Sequence, residues 1–248
     1  MKKSFQILVL LLFVACGANA QQEKGIIGST NWLSNWTEFK PAKVDYGEPN
    51  QILAGNISTN TKLLKKNVYL LQGPVYVDNN AVLTIEPGTV IIGDFDSGAA
   101  LVITKGASII ADGLETDPIV FTSNRSVKKA GDWGGIVILG DAPINKFGGV
   151  ASVNYDLDNA LTVYGGNNPV ASSGTLRYVR IEYAGKKVRG SGNFNGLFLG
   201  GVGNKTVIEN VMVSFCAGDS YEVYGGDVVM NKMVSLKASG IDYKFNYG

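Results

Sequence analysis

No histidine occurs among the 248 residues. The commonest general base, the Ser-His-Asp triad and nearly every catalytic zinc site are therefore absent, and any chemistry must run on carboxylates, tyrosines, lysines or arginines. Two stretches gather such groups. In "LRYVRIEYAG", from Leu176, Glu182 stands between Ile181 and Tyr183. If those two face inward along a strand, Glu182 and Arg180 face outward on one side, with Ser214 over Glu182 on a matching segment. In "GDSYEVYGGD", Asp219, Glu222 and Asp227 cluster around Tyr221 and Tyr224. Two carboxylates at glycosidase separation act as acid and base, and a Lys or Arg would serve a lyase instead. Glu182, Asp219 and Glu222 are the catalytic candidates on that reading. Outward charges on strands are ordinarily solvated, so the preferred expectation is that no residue here is catalytic.

A binding surface asks less of the sequence. Tyr155, Tyr164, Asn167, Asn168, Tyr221 and Tyr224, if exposed, offer rings for stacking and amides for hydrogen bonding to a glycan. Trp133 joins them if it reaches the surface, although packing beneath the long loop described below is the preferred expectation for it. For metals, "GDFDSG" at Gly93 and "NYDLDN" at Asn154 place Asp94, Asp96, Asp156 and Asp158 at alternating positions, as calcium loops do. Neither has the full ligand set or closing glutamate, and turn-forming Asp and Asn explain both. The expectation is no cofactor, with calcium the one ion these loops would take. "GDWGGIVILGDAPIN", Gly131 to Asn145, lacks the Gly-Lys-Ser/Thr ending and the G-x-G-x-x-G spacing of nucleotide loops, and reads as one glycine-cornered coil.

These residues must be positioned by short strands. Runs of three to five Val, Ile, Leu and Phe are punctuated by Gly, Asn and Asp, and helical spacing is nearly absent, so the fold class is all-β. "AVLTIEPGTVIIG" and "AALVITKGASIIADG" superpose with Leu83 on Leu101 and Ile85 on Ile103. Further steps add Ile119 with Phe121, then Ile136 with Ile138, as one inward ladder. Val179 matches Val211, Ile181 matches Val213 and Tyr183 matches Phe215 at a longer offset. Coils that cannot bury an apolar face alone must stack, which predicts a parallel β-helix over 61–248. A segment without strand period, 141–174, leaves the stack as a long loop. Residues 21–60, with Trp32, Trp36 and Phe39, are expected to cap its open end.

Lys2 and Lys3, the apolar run from Phe5 and "CGANA" have the parts of a secretory signal over 1–20, too short to span a bilayer. Cleavage after Ala20 fits best; lipidation at Cys16 is the minor reading. Of 22 basic and 21 acidic residues, cleavage removes Lys2 and Lys3, leaving 20 against 21. The lysine pairs are scattered, so no nucleic-acid partner is expected. With Cys16 removed, Cys216 is the sole thiol and no internal disulfide forms.

The blocks "VYLLQGPVYVDNNAVLTIEPGTVI", "IVFTSN", "GDWGGIVILGDAPIN", "YGGNNP", "SGTLRYVRIEYAG", "NGLFLGGVG" and "DSYEVYGGDV" resemble, in order, a family of exported right-handed parallel β-helix proteins of Gram-negative bacteria that use type IX secretion. The resemblance covers nearly all of 21–248 and implies fold far more than activity, for it carries no catalytic motif. The ending "KASGIDYKFNYG" lacks most acids of the family's aspartate-rich block, and no further coil, cap or sorting domain follows. A chain shortened at its C-terminus, or a fragment of a longer protein, is the resulting expectation. Together these readings point to a secreted or outer-surface scaffold that binds an extracellular glycan or another surface protein without catalysis, with no transmembrane span in the mature chain. The alternative is a carbohydrate-active enzyme, a polysaccharide lyase or hydrolase.

Overall fold

Apolar side chains two apart on a strand can be buried only if another strand supplies the facing row. The computed structural model describes residues 31–190 and 192–247 and meets that demand with parallel coils. The signal segment and Cys16 lie outside the described residues. Two units are distinguished, 1–34 and 35–248. In the first, Asn31–Ser34 form a turn in which the Leu33 N–H donates to Asn31 Oδ1 at 3.0 Å.

The second unit is a parallel β-helix whose coils have three faces. Face A stacks Thr61–Leu63, Val82–Ile85, Ser108–Asp112, the first halves of Gly174–Glu182 and Val207–Ser214, and Val229–Asn231. Face B stacks the first halves of Gln51–Ile57 and Val68–Val77, then Val90–Gly93, Ile119–Ser123, the second halves of the two long strands, and Val234–Leu236. Face C stacks the second halves of Gln51–Ile57 and Val68–Val77, then Ala100–Ile103, Ile136–Leu139, Leu197–Val202, Tyr221–Gly226 and Tyr243–Asn246. Each face sends an inward ladder to one core. Leu63, Ile85, Ala111, Leu176 and Ile208 come from A, Ile91, Phe121, Ile181 and Val213 from B, and Leu101, Ile136, Leu197 and Tyr221 from C. Among the described residues, the helical element is a single 3-10 turn, Pro41–Lys43. Among the described residues, no helix is long and apolar enough to cross a membrane.

The ladder expected from the first half is out of register. Leu83 pairs with Ile109, and Leu101 with Ile136. Ile119 lies on face B opposite Val179. Each coil carries three apolar strands of the same i, i+2 pattern, so successive strands on different faces look alike in sequence. Longer offsets do mark one face: Val179 pairs with Val211 and Ile181 with Val213, and the Tyr183 and Phe215 rings stack at 5.4 Å. Tyr183, Phe215 and Lys237 all have positive φ where face B turns toward C. The corner conformation, rather than the residue type, therefore repeats there.

Strand Gln51–Ile57 joins the stack before residue 61, its mostly exposed pattern hiding it from an apolar search. Of the segment expected to cap the stack, residues 21–30 lie outside the described residues, and residues 35–46 make contacts along the flank. Trp36 is buried edge-on to Tyr178, and Asn35 donates to Glu115 at 2.8 Å. Phe39 stays half exposed. "GDWGGIVILGDAPIN" is one coil. Asp132 is buried, accepting from Ser123 Oγ at 2.7 Å and the Lys129 N–H at 2.8 Å, with Arg125 at 3.3 Å. Gly135 has φ 140°, and a Cβ there would stand 2.1 Å from the Asn195 carbonyl oxygen, so the next coil fits only over a glycine.

Trp133 is fully buried in the main core. It stacks on Phe121 and donates from Nε1 to the Glu182 carbonyl at 2.8 Å. It is therefore neither a surface stacking platform nor packed beneath the 141–174 segment. That segment folds back on face C, where its hairpin Ala151–Ser152/Val163–Tyr164 is antiparallel. Ile144, Val153 and Tyr164 cover outward-facing Tyr76, Val102, Val137 and Phe198 in a second apolar cluster. The cover forms because face C is apolar on its outer side as well.

Candidate cleft on the outer side of face C

The outward row of face C runs Tyr76, Val102, Val137, Phe198, Glu222 and Lys244 on successive coils. It turns polar after Phe198. There the cover stops and a cleft of about 620 Å³ opens. Lys146, Val153, Tyr155 and Tyr164 wall one side, Asn193 and Asn195 another, and Lys244 and Tyr247 a third. Aromatic contacts make the walls continuous: Tyr155 packs on Phe194 at 4.3 Å, Phe198 on Tyr224 at 5.5 Å and Tyr224 on Tyr247 at 5.2 Å.

Glu222 is 5 % exposed at the floor. Asn195 donates to its Oε2; Lys244 Nζ lies 2.6 Å and Asn246 Nδ2 3.1 Å from its Oε1. Lys244 also reaches Asp219 Oδ2 at 3.3 Å, while Asp219 Oδ1 accepts the Ile241 N–H at 2.8 Å. Asn195 Oδ1 accepts the Asp219 N–H at 2.9 Å and so ties both acids to one turn. The hydrogen bond to Glu222 holds the Lys244 ammonium above the ordinary lysine range. Burial pushes the Tyr155 hydroxyl up, with the Glu222 and Asp219 charges adding, and burial does the same to Tyr164 and Tyr224. Burial likewise pushes the Cys216 thiol up to about 12, with its Sγ donating to the Asp219 carbonyl at 3.2 Å.

Of the residues singled out by sequence, the cleft gathers Tyr155, Tyr164, Asp219, Glu222 and Tyr224, but the Tyr164 ring is 2 % exposed, packed edge-on against Phe198 and Tyr224, and is not the open stacking surface expected of it. Tyr221 belongs to the core: its ring is 1 % exposed and its hydroxyl sits 2.7 Å from the Val211 and Val234 carbonyl oxygens. The same alternation that faces Glu222 outward turns Tyr221 inward. Asn167 and Asn168 are exposed at the far turn of the 141–174 segment, where the Asn168 N–H donates to the Asp141 carbonyl. They lie outside the cleft lining.

Glu182 does face outward on face B, yet it is 1 % exposed, with Tyr46 of the 44–49 segment lying on it. The expected solvent-facing carboxylate is a buried one, and it shares no groove with Asp219 and Glu222. Tyr46 donates to Glu182 Oε1 at 2.8 Å, and Arg180 Nε lies 3.7 Å from the same oxygen. Burial raises the carboxyl's pKa against both contacts.

Asp94 and Asp158 close turns: Asp94 accepts the Ser97 N–H at 3.0 Å and the Asn124 amide at 2.6 Å, and Asp158 accepts the Ala160 N–H at 2.9 Å. Partial burial would raise the Asp94 carboxyl, but those hydrogen bonds outweigh it and hold it below its ordinary value. Asp96 and Asp156 are exposed. Among the described residues, no three acidic or cysteine side chains gather as a ligand set.

Sequence reading missed Asn195, Lys244, Asn246 and Tyr247. A signal existed for two of them: "YEVYGG" from Tyr221 and "YKFNYG" from Tyr243 are consecutive coils, which sets Lys244 beside Glu222 and Asn246 beside Tyr224. Asn195 sits in a turn and had no such mark. Comparison with curated proteins and with solved structures finds no match. A family model described as a pectate-lyase-like β-helix domain matches residues 55–248, and the chain belongs to that family.

Proposed function

We propose that the protein is an exported, non-catalytic scaffold that binds a glycan in the face C cleft. The observation that carries this reading is the state of the cleft's ionisable groups. A lyase base must shed its proton near neutral pH, which enzymes achieve by pulling a lysine down to about 7–8, whereas Lys244 is held up by Glu222. The cleft tyrosines are likewise moved away from the basic form at neutral pH. Glu222 already accepts from Asn195, Asn246 and Lys244, which fill most of its roughly four acceptor sites. What remains suits a sugar hydroxyl, and the rings of Tyr224 and Tyr247 suit a sugar face. Membership of a pectate-lyase-like family supports a carbohydrate as the ligand class.

Glycan-array binding, with polysaccharide cleavage assayed on the same preparation, tests it. Wild type is expected to bind and to release no new chain ends. Tyr224→Ala and Tyr247→Ala should each weaken binding about five- to tenfold, the loss of roughly 1 kcal/mol of ring contact. Cleavage that disappears in Glu222→Gln would replace this reading with the carbohydrate-active enzyme.

A further inference from the structure

Beneath the strap of residues 44–49, face B carries polar groups that the fold leaves unsatisfied. Thr122 and Ser214 flank Glu182 on the neighbouring coils, one residue beyond the paired Phe121, Ile181 and Val213. All three are buried, and Thr122 Oγ1, Glu182 Oε2 and Ser214 Oγ have no hydrogen-bond partner; the same holds for Arg180 Nε. Thr122 bears on the Glu182 carboxyl closely enough to lower its pKa, yet its hydroxyl closes no hydrogen bond of full geometry. Such groups cost about 1–3 kcal/mol each when orphaned, so a row of them points to something they are built to hold.

Tyr46 shows what fits. Its hydroxyl donates to Glu182 Oε1 at 2.8 Å and accepts from Arg180 Nη2 at 3.3 Å, while the Arg180 guanidinium lies 5.9 Å from its ring centre. A flat ring is thus held with one hydroxyl read by a carboxylate and a guanidinium together. A sugar ring offers the same hydroxyl plus neighbours, each both donor and acceptor, for Glu182 Oε2, Thr122 and Ser214. The Glu182 and Arg180 charges cancel, which favours a neutral sugar.

The strap is fastened lightly. Among the described residues, no backbone hydrogen bond joins Asp45–Glu48 to the sheet: the Gly47 N–H turns back to Asp45 Oδ1, and backbone attachment resumes at Asn50, bonded to Val68. A cavity of about 200 Å³ already lies between the strap and Thr122, Ser123 and Arg125. That is below the roughly 300–1,000 Å³ of drug-sized pockets, and removing the Tyr46 side chain enlarges it.

We propose that Thr122, Arg180, Glu182 and Ser214 form a second site, for a single neutral sugar ring, which Tyr46 occupies in place of that ligand. The assignment stands on face B alone and does not depend on what the face C cleft binds. The test uses the full chain with the cleft disabled by Tyr224→Ala and Tyr247→Ala together and measures binding of glucose, galactose, mannose and N-acetylglucosamine by saturation-transfer NMR and calorimetry. Adding Tyr46→Ala should raise affinity for at least one of these sugars roughly tenfold or more, since opening removes the competing occupant. Glu182→Gln on top should abolish the gain. Tyr46→Phe keeps the ring while deleting the hydroxyl contacts, and should show a smaller gain. A folded Tyr46→Ala or Tyr46→Phe protein that binds no sugar better than its parent overturns the proposal. So does a gain that survives Glu182→Gln. Failure of both Tyr46 variants to fold also overturns it, because a strap the fold cannot release cannot uncover a site. Loss of glycan binding in the cleft alone would instead strike the reading of face C.

Discussion

Glu182 and Glu222 follow the same local recipe and meet opposite fates. Each sits on a strand, faces away from the core and has a basic side chain near it. Glu182 is covered by Tyr46 of the 44–49 segment, keeps one carboxylate oxygen without a partner and holds its countercharge at 3.7 Å. Glu222 opens on a cleft, with an ammonium at 2.6 Å and two amides completing its shell. Strand alternation decides which side of a sheet a residue faces. Whether that side is solvent is decided by what the long non-repetitive segments lie upon. Here residues 44–49 lie on face B and 141–174 on face C.

The difference sets very different costs for losing the basic partner. Arg180→Ala would leave the Glu182 carboxyl 1 % exposed and without its guanidinium. Stranding one member of a buried pair costs about 3–5 kcal/mol, which for a domain of this size is a Tm fall on the order of 10 °C. Calorimetry of Arg180→Ala beside Lys244→Ala measures the contrast directly. Equal shifts in the two variants would show that the strap gives Glu182 no more isolation than the cleft gives Glu222.

A pH series sharpens the same comparison. Burial raises the Glu182 pKa above its unfolded value near 4.3. The folded state then binds more protons than the unfolded state between those two pKa values, so stability falls as pH rises through that window. The contribution is fully present below about pH 4 and is lost above the raised folded pKa. Asp94 runs the other way: its folded pKa is lowered, so its contribution is present above about pH 4 and lost as pH falls. Glu182→Gln is expected to remove the decline that begins near pH 4 and ends at the raised folded pKa, leaving stability flat or rising there. An unchanged decline, followed by urea unfolding at each pH, would mean that another group causes it.

The fold was legible because the demand for stacking is written in every strand, whereas register was only half legible. Val179 and Val211 align across one long offset because both belong to uninterrupted two-face strands. Leu83 and Leu101 mislead because turns of varying length separate three similar strands per coil. The cleft was readable where alternation sufficed, as at Glu222 and Tyr224. It was unreadable at Asn195, a turn residue placed by the return of the chain and not by any period. Trp133 was misplaced for a related reason. The vacancy it fills is made by Gly93, where a Cβ would stand 2.6 Å from the indole, and no strand pattern announces that a glycine on another coil leaves room.

The smallest effect is expected at Lys244. Its side chain is 36 % exposed, so its attraction to Asp219 and Glu222 is screened by water and salt, and deletion should cost no more than about 1 kcal/mol. The sign follows from its raised pKa. Its stabilisation is fully present below the unfolded lysine value near 10.4 and is lost as pH rises through the higher folded value. Lys244→Ala should therefore lower Tm by a few degrees at neutral pH, and by less in about 1 M salt, where the Debye length falls to ~3 Å. Binding should respond more than stability does. Without the ammonium, Glu222 and Asp219 repel each other across the cleft floor, and glycan affinity should drop even where the fold is intact. A Lys244→Ala protein as unstable as Arg180→Ala, with the deficit undiminished by salt, would place Lys244 in a buried pair and erase the distinction between the two faces.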